Sequence, residues 1–103
     1  MKKRIAIDLE GTLIDNARSI ELQERVKTSG DDWYLVTAHA DPLAVEDIVR
    51  EETALDPETD FVEIICTSQK AKACFERGIT RLIDDSVRYR KSCEKYGVEF
   101  ELV

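Results

Sequence analysis

Two acidic stretches carry the residue types and spacing that could do chemistry. The first is Ile5-Ala6-Ile7-Asp8-Leu9-Glu10-Gly11-Thr12-Leu13. A short apolar run ends in an acid, a second acid follows two places on, and a Gly-Thr turn leads back to apolar residues. Read as a buried strand, it delivers Asp8 at its C-terminal edge and Glu10 on the following turn, where Gly11 lets the backbone bend sharply. The second stretch is Leu82-Ile83-Asp84-Asp85, another apolar run closed by acids. In an open α/β sheet, ligands bind in the crevice outside the strand C-termini, so acids in these places face a ligand. Few other side chains have comparable chemical character. Thr37 closes the apolar run Leu35-Val36-Thr37, His39 is the only histidine, and Lys70 and Lys72 stand near the start of a helical stretch.

The elements that must position these groups alternate along the chain. Residues 4–9 form a run of the kind covered on both faces of a sheet. Ser19 is placed to cap a helix to about Ser29, with Leu22 and Val26 on its inner face, and Gly30 ends it. A second strand spans 33–37. Asp41-Pro42 starts the next helix, the acid capping and the proline sitting where its missing N–H costs nothing. Val45, Ile48, Val49 and Leu55 keep its stripe, and residues 56–60 form a turn. Strand three spans 61–66. Thr67-Ser68 is placed to cap a helix whose Ala71, Cys74 and Phe75 share a face, with Gly78 closing it. Strand four spans 79–83. Ser86 opens a last helix carrying Tyr89, Cys93 and Tyr96, which Gly97 stops before strand five at 98–103. Five strands alternating with four helices predict a parallel sheet with helices on both faces, in one domain over residues 1–103.

Composition narrows the function classes. The 103 residues suffice for one small domain. An apolar fraction of 43% suits a packed core and argues against disorder. Fifteen basic against twenty-two acidic residues leave a net charge of −7, which disfavours nonspecific binding to nucleic acid or anionic lipid. The run Lys2-Lys3-Arg4 precedes the first strand as a solvated entry. Cys66, Cys74 and Cys93 lack Cys-x-x-Cys spacing, are odd in number and read as free thiols of a reducing, cytoplasmic compartment. No apolar run reaches the ~18 residues of a membrane span, and the charged N-terminus does not read as a signal peptide. Trp33 and Tyr34 open strand two at the edge opposite the crevice, where core packing is the better reading than base stacking.

The Asp8 stretch resembles the nucleophile motif of the haloacid dehalogenase (HAD) superfamily, Asp-x-Asp-Gly-Thr followed by Leu or Val. Its other signatures stand in order: an apolar strand ending in Thr37, a lysine at the start of the helix before strand four, and the acidic pair Asp84-Asp85. Lys70 and Lys72 both qualify as that lysine. Lys70 is preferred because it falls on the first turn, where N–H groups favour an anion. The resemblance covers essentially the whole chain and implies a Rossmann-like α/β domain of strand order 5-4-1-2-3 without a cap domain. Strands one and four are then neighbours, and Asp8, Glu10, Asp84 and Asp85 meet at one edge. Like charges so close raise each other's pKa. A divalent cation removes the conflict, and an all-oxygen site favours Mg²⁺. A response-regulator receiver domain is excluded by order, since its acid pair follows strand one and its phosphoacceptor strand three.

The resemblance further implies a Mg²⁺-dependent phosphohydrolase. Asp8 is the expected nucleophile, forming an aspartyl-phosphate. Mg²⁺ is expected on Asp8, the backbone carbonyl of Glu10 and Asp84, with Asp85 orienting its waters. Lys70 offsets charge, and residue 10 acts as acid and then base. Thr37, Ala38, His39, Gly11 and Thr12 are expected around the substrate phosphate, with His39 either touching substrate or facing solvent. One letter departs from the family: Glu10 stands where its phosphatases carry Asp. Glutamate reaches about an ångström further, and a displacement of that size can cost on the order of a hundredfold in rate. The alternative reading is therefore a weak or inactive phosphate-binding or regulatory module. A capless site suits phosphorylated small molecules, nucleotides or nucleic-acid ends. Thr37-Ala38-His39 and Leu82-Ile83-Asp84-Asp85 look like the corresponding loops of 5′(3′)-nucleotidase-type members.

Overall fold

The computed structural model describes residues 2–103. Strands β1 (Arg4–Ile7), β2 (Asp32–Thr37), β3 (Glu63–Cys66), β4 (Arg81–Asp84) and β5 (Glu99–Leu102) alternate with helices α1 (Ser19–Thr28), α2 (Pro42–Glu52), α3 (Lys70–Glu76) and α4 (Arg90–Tyr96). All strand pairs are parallel and the order across the sheet is β3-β2-β1-β4-β5. Read from the other edge, this is the expected 5-4-1-2-3. Asp8, just past β1, continues the ladder by donating its N–H to the Ile83 carbonyl at 3.0 Å.

The period-two alternation of the central strands sorts the core into two layers. Ile5, Ile7, Trp33, Leu35 and Ile83 face one side, where Leu22 and Val26 of α1 and Val45 and Val49 of α2 cover them. Ala6, Tyr34, Val36 and Leu82 face the other, against Ala71 and Cys74 of α3 and Cys93 of α4. Each large aliphatic side chain removed from water contributes roughly 1.5–3 kcal/mol. A one-residue slip of β1 would exchange its two faces, so this burial holds the register. Trp33 is a core residue, 1% exposed, with its indole N–H on the Ser29 hydroxyl at 2.8 Å. Cys66, Cys74 and Cys93 are free thiols. No helix among the described residues is long and apolar enough to cross a membrane.

Several local expectations are corrected. Every strand except β2 is shorter than its apolar run, because strand pairing ends where the connecting turns begin. Ser19 is the first residue of α1, not its cap. Its hydroxyl donates to the Thr12 carbonyl at 2.8 Å, tying the helix to the loop after β1. Thr67 and Ser68 stop short of capping α3: Gln69 holds the cap position, and its N–H bonds the Thr67 hydroxyl at 3.0 Å. Phe75 does not share the buried face of Ala71 and Cys74 but is 59% exposed, with its ring 5.5 Å from that of Tyr96. The last helix begins later than Ser86, after a tight turn at Val87–Tyr89. Asp41 does cap α2, accepting from the Leu43 N–H at 3.0 Å, with Pro42 in the first turn.

Candidate functional site

The ladder itself brings the two acidic stretches together. Ile7 lies opposite Ile83 and Leu35, so Asp8 and Asp84 each follow by one residue and leave adjacent strands level with one another. Alternation turns both toward the face covered by α3, and Lys70 is the first residue of that helix. Its ammonium lies 2.7 Å from Asp8 Oδ1 and 2.8 Å from Asp84 Oδ2. All three side chains are almost entirely buried. The remaining carboxylate oxygens are also held: Thr12 donates its hydroxyl to Asp8 Oδ2 at 3.2 Å, and the Ser86 N–H donates to Asp84 Oδ1 at 2.9 Å.

Charge in this cluster is unbalanced. Two buried carboxylates share one ammonium, and Asp85 stands next to them at the surface. Burial pushes the Asp8 carboxyl up from 3.8 to about 6, against the opposing pull of Lys70. Asp84 is also raised, first by burial. Burial works against the Lys70 ammonium, but Asp8 and Asp84 outweigh it and leave its pKa above the ordinary lysine value. Asp8, Asp84 and Asp85 offer carboxylate oxygens that all lie within 4.8 Å of one another. An oxygen-only set with excess negative charge fits a hard divalent cation such as Mg²⁺.

The loop after β1 is shaped around this group. Gly11 has φ +81°, and a Cβ added there would sit 2.3 Å from Asp85 Oδ2. The absence of a side chain therefore lets Asp85 lean against the turn. Asn16 fastens the same turn by donating its amide to the Gly11 carbonyl at 2.9 Å. Thr12 is fully buried behind Asp8, where its contact is with the carboxylate.

A cleft of about 220 Å³ opens over the cluster, lined among others by Asp8, Glu10, Thr37, His39, Asp85 and Arg88. Glu10 is exposed at its edge and stands outside the close carboxylate group. Thr37 is buried at the end of β2, and its hydroxyl accepts the His39 N–H at 3.2 Å. Thr37 lines the cleft, and a hydroxyl that accepts one bond still has a proton to donate. His39 Nδ1 accepts the Asp41 N–H at 3.2 Å, which leaves the ring proton on Nε2. Ala38 is exposed on the same loop and also lines the cleft. Of the two candidate lysines, Lys70 points to the acids and Lys72 is exposed on another side of α3.

Three lining residues escaped the sequence reading: Ser86, Arg88 and Tyr89. The Lys70 ammonium lies 4.8 Å from the centre of the Tyr89 ring and the Arg88 guanidinium 5.0 Å from it. The apolar spacing of Tyr89 with Cys93 signalled its buried face but not its contact with Lys70. Comparison with protein-family models, with curated proteins and with solved structures finds no match to this chain.

Proposed function

We propose that this cleft is the active site of a Mg²⁺-dependent phosphohydrolase, as its resemblance to the HAD superfamily implies. One observation carries the reading: Asp8 and Asp84, from adjacent strands, meet on one buried lysine at a strand C-terminal edge. A purely structural core gains little from two buried carboxylates on a single ammonium, whose desolvation is costly. Such a cluster is better suited to a site whose ligands bring opposing charge.

In this proposal Asp8 attacks phosphorus, the ester oxygen leaves with a proton from Glu10, and Asp8 carries the phosphoryl group. Glu10 then takes a proton from the water that attacks the aspartyl-phosphate, releasing inorganic phosphate and restoring Asp8. Lys70 holds the nucleophile and offsets charge on the transferred group. Thr37 donates its hydroxyl to a phosphoryl oxygen, and His39 offers its Nε2–H from the cleft wall. Thr12 and Gly11 keep Asp8 and Asp85 in place. Asp8, Asp84, Asp85 and the Glu10 carbonyl are the groups that would hold Mg²⁺, whose charge favours the approach of a carboxylate to a phosphate dianion. Substrates are phosphorylated small molecules or nucleotides, met in a reducing cytoplasm.

The test is a panel of phosphate esters with added Mg²⁺, run on the natural protein beside Glu10→Asp. Phosphate release that EDTA and Asp8→Asn abolish is the expected result. Turnover absent across the panel, with Mg²⁺ binding intact, overturns the enzyme reading. Activity appearing only in Glu10→Asp would favour a phosphate-binding module.

A further inference from the structure

The basic residues of this acidic chain are unevenly spread. Residues 70–95 hold eight of the fifteen lysines and arginines but only four of the twenty-two acids, a local balance of +4 in a chain of −7. No long basic run announces this, because the cations are distributed over α3, β4 and α4. Part of that charge gathers beside the cleft. A second pocket, of about 230 Å³, lies between α3 and α4, lined by Lys72, Ser92, Lys95 and Tyr96 together with Lys70 and Tyr89. Lys70 and Tyr89 also line the cleft over Asp8, so the two spaces adjoin and share these two side chains.

The cations of the second pocket are available. Among the described residues, the lysines that pair with carboxylates are Lys2, Lys27 and Lys70. Lys72 and Lys95 stand outside those pairs, and both are exposed. The Lys95 ammonium lies 5.5 Å from the centre of the Tyr96 ring, which is itself packed on Phe75. Arg88, which lines the cleft and not the second pocket, has its guanidinium 5.0 Å from the centre of the Tyr89 ring and adds charge to the cleft wall. Two ammonium groups outside the ion pairs of the described residues stand with the Ser92 hydroxyl around one pocket, a set of donors whose chemistry receives a phosphate.

We propose that the pocket between α3 and α4 is a second anion subsite, and that the substrates are phosphate esters carrying a second phosphate, which Lys72 and Lys95 receive while the first lies over Asp8. The subsite deepens the phosphohydrolase reading of the cleft and rests on it. A single phosphate would use only the cleft. A bisphosphate whose spacer reaches from one space to the other would use both, and the added contact would raise kcat/KM for it selectively.

Two measurements test this with α,ω-alkanediol bisphosphates of increasing chain length and the matching monophosphates. In turnover with Mg²⁺, one range of spacer lengths should be preferred over its monophosphates by roughly tenfold, at a few-fold for each exposed lysine–phosphate contact. In the Lys72→Gln/Lys95→Gln protein that ratio should fall toward one. The exposed position of both side chains spares the fold. In calorimetry with EDTA present, run over the same chain lengths so that no turnover is needed, one range of spacers should bind the natural protein and lose that affinity in the double variant. Bisphosphates treated like monophosphates at every length, or a preference that survives the double variant, overturn the subsite. Lysine-dependent binding in calorimetry without any ester hydrolysis would keep the subsite and reject the phosphohydrolase.

Discussion

Replacing Asp8 by Asn should make the metal-free protein more stable, although it removes a bond to Lys70. Asparagine has the shape of the protonated carboxyl and keeps an oxygen for the Thr12 hydroxyl or the Lys70 ammonium. Lys70 retains Asp84 at 2.8 Å, so the buried cluster becomes a neutral pair. Asp8 titrates at 3.8 when unfolded and at about 6 when folded, burial being the chief cause. A folded pKa above the unfolded one means that the native state holds the proton longer. Stability is therefore lost as pH rises from about 3.8 through 6. At about 1.4 kcal/mol per decade, the full loss approaches about 3 kcal/mol above pH 7. For a domain of this size that is on the order of ten degrees or more in Tm. Melting curves in EDTA should coincide for the natural protein and Asp8→Asn near pH 3.5 and separate progressively to pH 8, with the variant higher. Added Mg²⁺ should close the gap by raising only the natural protein, since a ligand stabilises the state that binds it. An Asp8→Asn protein that melts lower at pH 8 in EDTA would refute the account. It would mean that the bond to Lys70 outweighs the cost of burying the second charge.

Three further outcomes follow from the same geometry. Lys70→Met strands two buried carboxylates and should cost about 3–5 kcal/mol at pH 8, read by urea unfolding in EDTA, with the loss shrinking at pH 4 as both acids protonate. Gly11→Ala, at φ +81° and with its Cβ 2.3 Å from Asp85 Oδ2, should cost about 1–3 kcal/mol in stability and weaken Mg²⁺ binding in calorimetry by displacing Asp85. Burial raises the Glu101 carboxyl, but the guanidinium groups of Arg25 and Arg81, at 2.8 and 2.9 Å, outweigh it and hold the pKa below its ordinary 4.5. That stability is present above pH 4.5 and lost as pH falls through the lowered folded pKa, so Glu101→Gln should melt lower at pH 7, by about 1 kcal/mol, with the gap narrowing steadily as the solution is made more acidic than pH 4.5.

The pattern of apolar runs and turn residues was enough to read five parallel strands and their helices, because burial on both sheet faces leaves unbroken apolar stretches at 5–7, 33–36 and 82–83. Asp41-Pro42 announced a helix start for the same local reason: cap and proline act within one turn. Expectations failed where a distant partner outweighed a local preference. Ser19 gave up capping for the Thr12 carbonyl. Phe75 left the buried face of α3 to lie against Tyr96.

The candidate site divides along the same line. That Asp8 directly follows its strand while Thr37 and Asp84 close theirs is a property of local sequence, visible as an abrupt change from apolar to polar. That Lys70 rather than Lys72 turns to the acids depends on where α3 starts, and the shared bond to Asp8 and Asp84 exists only after three segments up to 76 residues apart are packed together. The Asp8 proton affinity, the approach of Asp85 to Gly11 and the gathering of Lys72 and Lys95 beside Tyr89 likewise belong to the assembled molecule. Burial and charge neighbourhood are sums over everything nearby in space, and only the fold decides what is near.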